Sequence, residues 1–158
     1  MAQRSMPNGF KFFMGSRLGK VMQDANVWLY RASGGKLGGR LAGAPILLLT
    51  TRGRKSGQPR VTPLLYLDTG TELAVVASKG GWPADPLWYR NLQAEPEVQV
   101  QIGRDVRSMR ARTAEPAERE RLWPQLVQMY GQYADYQSWS DRLIPVVILT
   151  PTRSAPVN

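Results

Sequence analysis

Residues 44–68 read APILLLTTRGRKSGQPRVTPLLYLD, and this stretch decides the fold. Two apolar runs, 44–51 and 60–68, flank a loop holding Arg52, Arg54, Lys55 and Arg60 together with Gly53, Gly57 and Pro59. β-branched and apolar residues bounded by glycine and proline mark strands joined by a tight turn, so an antiparallel hairpin is expected. Pro63 cannot donate to a strand ladder, which puts the second run at a sheet edge or a bulge. Arg54 stands where a nucleoside-triphosphate loop needs a glycine before its lysine, so that motif is absent. Backbone N–H groups beside Arg and Lys can still cradle a phosphate or carboxylates, and a solvated basic turn is the alternative.

Outward from the hairpin, further runs bounded by turn residues read as strands at 71–78, 97–103, 106–114 and 144–150. Helices are expected from 85 on, beginning DPLWYRNLQ with Asp85 as its cap before Pro86, and at 115–130, interrupted or restarted at Pro124. From Phe10 to Tyr30 the apolar residues Phe10, Met14, Leu18, Val21, Met22, Ala25 and Leu29 recur at helical spacing, with Lys11, Arg17 and Lys20 off the stripe. The first expectation is a helix packing that stripe on the core, and the alternative is docking on an anionic membrane surface. SGGKLGG (33–39) reads as a flexible connection. The expected class is α+β, mainly β: a six-stranded antiparallel barrel with flanking helices, in which 1–40 form a helix and linker, 41–152 the barrel and 153–158 a tail. Tight turns between strands argue against a doubly wound parallel sheet.

The 158 residues carry 21 basic and 12 acidic side chains, a formal charge of +9, with no cysteine and no histidine. The missing cysteines remove disulfides, zinc–thiolate sites and thiol nucleophiles, and agree with a reducing cytoplasm. The missing histidines remove imidazole-dependent triads, the usual general base and most transition-metal sites. Catalysis must then run through carboxylates, tyrosines, lysines, hydroxyls or a cofactor with its own chemistry. The positive balance favours anionic partners. No run of eighteen apolar residues crosses a membrane, and the first twenty residues do not read as a signal peptide.

Outside the loop, Ser78 and Lys79 end a strand before a glycine pair. Trp88 and Asn91 lie three apart on one helix face; the tryptophan suits a core, whereas the asparagine is an odd core choice. Tyr130, Tyr133, Tyr136 and Trp139 recur every three residues, either as a packing face or as a lid whose hydroxyls donate to a substrate oxygen.

LLTTRGRKSGQPRVTPL, ASKGG, DPLWYRNLQAEPEVQVQIG and WPQLVQMYGQYADYQSWSDRLIPVVIL, in that order, closely resemble the deazaflavin-dependent nitroreductase and quinone reductase family of actinobacteria. The resemblance implies a split β-barrel of flavin-reductase type. It also implies coenzyme F-420, an 8-hydroxy-5-deazaflavin with a phosphate and an oligoglutamate tail. In its reduced form this coenzyme passes hydride to a quinone or nitroaromatic acceptor. Residue by residue, it assigns the phosphate and tail to Arg54, Lys55, Gly57, Gln58, Pro59 and Arg60, with Pro63 beyond them on the strand. It assigns the deazaflavin to Ala77, Ser78, Lys79, Trp88 and Asn91, and the acceptor side, with proton donation, to Ser78, Tyr130, Tyr133 and Tyr136. No metal is implied. FMN, which shares the tricyclic ring and phosphate, is the runner-up cofactor, and a basic nucleic-acid-binding barrel is a distant third reading. Nitroimidazole-reducing relatives carry a tyrosine where this chain has Leu65, and Tyr66 faces the other way along a strand. The expected location is the cytoplasm, with the N-terminal helix able to reach the cytoplasmic face of a membrane.

Overall fold

The computed structural model describes residues 16–152. The start of the expected N-terminal helix, residues 10–15, and the tail at 153–158 lie outside the described residues. In chain order the elements are helix α1 (Arg17–Ser33) and strands β1 (Arg40–Leu41), β2 (Ala44–Arg52), β3 (Pro59–Leu65), β4 (Leu67–Asp68) and β5 (Leu73–Val76). A short turn (Lys79–Gly81) precedes helix α2 (Leu87–Ala94) and strands β6 (Glu97–Ile102) and β7 (Asp105–Thr113). Helices α3 (Pro116–Met129) and α4 (Gln132–Trp139) and strand β8 (Val146–Pro151) complete the chain.

All strand pairs are antiparallel, in the order β1-β2-β6-β7-β8-β5-β4, with β3 also on β2. The stretch 59–68 therefore pairs with β2 at its start and with β5 at its end, curling the sheet into a split-barrel-like half-barrel. Among the described residues there are eight strands rather than the expected six. The expected second strand breaks at Tyr66, whose N–H donates to the Pro45 carbonyl at 3.1 Å where the ribbon passes from one neighbour to the other. The other addition, β1, grows out of the glycine turn and pairs with Pro45 and Ala44. Pro63 does lie on an edge strand, opposite Leu48.

Side-chain alternation sorts the strands into two kinds. β6 and β7 point Val98, Val100, Met109 and Ala111 into the core and turn Glu97, Gln99, Arg110 and Arg112 outward. In β2, β5 and β8 both faces are buried, so these strands read as unbroken apolar runs. Leu47, Leu49, Val75 and Val147 face a core closed by Trp88, Tyr89 and Leu92 of α2. Ala74, Val76, Val146 and Ile148 face a second core covered by α3 and α4. Helix α3 runs unbroken through Pro124, contrary to the expected interruption, because Leu122 and Leu126 on either side are buried in that second core.

The third layer corrects the reading of α1. Its apolar stripe does not face the core: Leu18, Val21, Met22 and Leu29 remain exposed, and the helix docks through Val27 and Tyr30 against Leu48. Those two residues lie about 120–180° around the helix from the stripe. The rotation is set at the helix end, where Gly34 takes a left-handed cap and Gly35 donates to the Tyr30 carbonyl at 2.8 Å. The Tyr30 hydroxyl donates to the Ile46 carbonyl at 3.0 Å and accepts from the Gly103 N–H at 2.8 Å. The expected flexible connection is thus a packed turn, and a Cβ on Gly39 would lie 2.0 Å from the Gly35 carbonyl oxygen.

Tyr30→Phe leaves the Gly103 N–H without this acceptor and is expected to lower the unfolding free energy by about 1–2 kcal/mol, read by urea denaturation. An unchanged midpoint would mean that packing alone holds α1.

Candidate functional site

The basic loop is closed by its own hydrogen bonds. Gly53 donates to the Gln58 carbonyl at 2.8 Å, Gly57 donates to the Gly53 carbonyl at 2.7 Å, and Gln58 donates to the Ser56 hydroxyl at 3.2 Å. Gly57 has a φ of 70°, a conformation that favours glycine. Asn91 of α2 explains its own burial here. Its carbonyl oxygen accepts from the Arg54 N–H at 3.2 Å, and its amide donates to the buried Thr51 hydroxyl at 3.3 Å. The odd core residue is the fastener between helix and loop.

Loop, α1 and α2 enclose a cleft of about 1030 Å³. Its apolar surface comes from Val27, Val61, Pro86, Leu87 and Trp88. Its charged lining is Lys20, Arg31, Arg54, Lys55, Arg60 and Lys79 against the single carboxylate of Asp24. An apolar floor with six cations and one acid suits a ligand with a flat, poorly hydrated body and several negative charges.

Of the residues expected to hold a cofactor, Arg54, Lys55, Pro59, Arg60, Lys79, Trp88 and Asn91 line this cleft together. Gly57 and Gln58 shape the loop without lining it, and Pro63 lies along β3. Ala77 and Ser78 are buried behind Lys79. The lining from α1 (Lys20, Gln23, Asp24, Val27 and Arg31) has no signal in the sequence, because no local pattern says which helix face meets the sheet. Asp85 does not cap α2; its carboxylate instead accepts from Arg142 at 3.0 Å.

The tyrosines gather elsewhere, in the second core. Tyr133 and Tyr136 are buried, and the Tyr130 and Tyr133 rings meet edge-to-face at 5.0 Å. The Tyr130 and Tyr136 hydroxyls both donate to the Gln132 side-chain oxygen at 2.9 Å. Leu65 packs in the same cluster. None of the three phenols lines the cleft, but α4 abuts the turn that carries Lys79: a Cβ on Gly81 would lie 2.8 Å from the Tyr136 carbonyl oxygen.

The family model for F420H(2)-dependent quinone reductase matches residues 22–151. The chain belongs to that family. F420H(2)-dependent quinone reductase Rv1261c from Mycobacterium tuberculosis is 43% identical over 127 residues, 77% of this chain and 85% of that protein. Among solved structures, an F420-H2 dependent reductase is 48% identical with a TM-score of 0.62, covering 66% of this chain and 93% of that one. A solved domain-swapped dimer is 40% identical with a TM-score of 0.64, covering 85% of this chain and 99% of that one. Members of this quinone reductase family are oxidoreductases, and the blocks that the family match spans include the whole basic loop and the tyrosine cluster. Among the described residues, no helix of this family member is long and apolar enough to cross a membrane.

Burial pushes the Tyr133 phenol well above its ordinary value, with the neighbouring Tyr130 adding to the effect. Burial likewise raises Tyr136, helped by its contact with the Tyr130 hydroxyl. A folded value raised above the unfolded one contributes stability that is complete below about pH 10 and is lost as pH climbs toward the folded value. Tyr133→Phe removes one such group. Between about pH 9 and about pH 11 its urea midpoint is expected to fall less than that of the natural chain, and equal falls would count against the ionisation of Tyr133.

Proposed function

We propose that the cleft holds the deazaflavin coenzyme F-420 and that the chain reduces a quinone with it. The observation that carries this reading is the set of six cations against one carboxylate around an apolar floor. That donor set fits a cofactor with a phosphate and a carboxylate-rich tail. When bound in its reduced form, the coenzyme supplies the hydride, so the protein needs neither histidine nor cysteine.

The chain's own residues would bind, orient and exclude water. Arg54, Lys55 and Arg60, with the glycine-closed turn beneath them, offer charge-assisted hydrogen bonds to phosphate and carboxylates. Trp88, Val27 and Val61 cover the ring system, while Asn91 keeps the loop at its distance from α2. Lys20 and Arg31 complete the cationic wall from α1. On the acceptor side, Ser78 and the phenols of Tyr130, Tyr133 and Tyr136 would be the hydroxyl donors. Burial keeps Tyr133 and Tyr136 protonated, as a donor to a reduced oxygen must be. Leu65 withholds the phenol that nitroimidazole-reducing relatives present, which favours quinones over nitroimidazoles as acceptors.

Fluorescence titration of F-420 tests the reading. Saturable binding in the micromolar range is expected, weakened about tenfold in Arg60→Ala through loss of a charged hydrogen-bond donor. Absence of saturation would remove the proposal, and preferential binding of FMN in a parallel titration would redirect it.

The exposed stripe of α1 adds a location to this reading. Leu18, Val21, Met22 and Trp28 are exposed on a helix that also carries Arg17, Lys20 and Arg31, a pattern suited to the interface of an anionic membrane. Such docking would bring the cleft to a lipid-soluble quinone. The full chain is expected to sediment with phosphatidylglycerol vesicles, and a Met22→Glu, Trp28→Glu double variant much less so. Equal binding by the two proteins would sink the idea.

A further inference from the structure

The turn that carries Lys79 is held in a costly backbone conformation. Lys79, Gly80 and Gly81 are left-handed in succession, with φ of 44°, 60° and 79°. Glycine adopts that region freely, whereas a residue with a side chain does so only when its surroundings impose it. Lys79 lines the cleft, and its ammonium sits 5.5 Å from the centre of the Trp82 ring.

The surroundings that impose it converge on one guanidinium, that of Arg142, in the link between α4 and β8. Its Nη2 donates to the carbonyls of Ala77 at 3.0 Å and Ser78 at 3.1 Å, just before the turn. Its Nε donates to the Trp82 carbonyl at 3.1 Å and its Nη1 to the Asp85 carboxylate at 3.0 Å, just after it. All three nitrogens are engaged, and the acceptors bracket the turn on both sides. Gly81 also rests close against the Tyr136 backbone, where a Cβ would lie 2.8 Å from the Tyr136 carbonyl oxygen. No motif of the sequence singles out Arg142.

We infer that Arg142 is a positioning residue for the cofactor cleft: it clamps both ends of the 77–85 segment and thereby fixes the Lys79 ammonium on the wall that meets an anionic ligand. The inference rests on the cleft reading above, with F-420 as the probe. Arg142 does not line the cleft; it acts through Lys79. A lysine at position 142 would keep the charge but lose the planar fork that reaches four acceptors at once.

A double-mutant cycle separates this role from general stabilisation. In fluorescence titrations, Arg142→Gln is expected to weaken F-420 binding about tenfold in the natural background, the scale of one lost charge-assisted contact. In a Lys79→Ala background it should weaken binding further by less than about twofold. Arg142→Lys should resemble Arg142→Gln, because loss of geometry and not of net charge is responsible. Thermal melts without ligand establish that each variant is folded. Should Arg142→Gln not fold, Asp85→Ala, which removes the only side-chain acceptor among the four contacts of the guanidinium, takes its position in the same cycle with a smaller expected loss, about threefold. Equal fold-losses in both backgrounds, binding by Arg142→Gln like that of the natural chain, or rescue by Arg142→Lys would overturn the clamp while leaving the cleft reading intact. Absence of saturation by the natural chain would overturn both.

Discussion

The architecture depends on one constraint, the burial of both faces of β2. Leu47, Leu48 and Leu49 are consecutive and almost wholly shielded from water, at 0%, 1% and 0% exposure. Successive strand residues point to opposite sides, so three buried neighbours require apolar cover on each side of the sheet. The curled sheet and α2 supply one cover, and α1 supplies the other. Each leucine contributes about 1.5–3 kcal/mol on burial, which is ample reason for a helix with few other anchors to stay in place. The cleft is a by-product of this layering, because it opens where α1 stands beside the basic loop and β3.

Hydrophobic layering leaves distances loose, and three polar side chains tighten them. Tyr30 ties α1 to the carbonyl of Ile46 and the N–H of Gly103. Asn91 ties α2 to the loop, and Arg142 ties the 77–85 segment to the link before β8. Each reaches backbone groups from a distant part of the chain, where a hydrogen bond has angular and distance requirements that apolar contact lacks. A cation wall assembled from three separate segments needs such fasteners, since like charges repel and would otherwise spread the walls apart.

Much of this was legible in the residues. The basic hairpin, its edge proline and the alternating β6 and β7 follow from period-two patterning and turn chemistry, both local. The failures share a cause in the competition for partners. Asp85 is a good cap in isolation, but Arg142 offers it a charge-assisted bond. Pro124 removes one hydrogen bond from α3, yet the buried Leu122 and Leu126 keep the helix whole. The apolar stripe of α1 was a sound pattern attached to the wrong face, because Tyr30 and Val27 fit Leu48 and the glycine cap sets the rotation. The break at Tyr66 depends on two different neighbouring strands, information that no window of the chain contains.

The sequence by itself bounded the chemistry allowed: without histidine or cysteine, it left carboxylates, tyrosines, lysines, hydroxyls or a cofactor, and its surplus of cations favoured an anionic partner. It also determined the strand segments other than β1 and the break at Tyr66, because side-chain alternation and turn residues act over a few positions. Only the tertiary structure decided which cations share a wall, since Lys20, Arg31, Arg54 and Lys79 are brought together by packing across the chain. It alone decided that the tyrosines pack together behind the Lys79 turn, and that a lone arginine in a polar link holds that turn in shape. The difference is one of range: local propensities are written residue by residue, whereas a site built from distant segments exists only once burial and long-range hydrogen bonds have set their spacing.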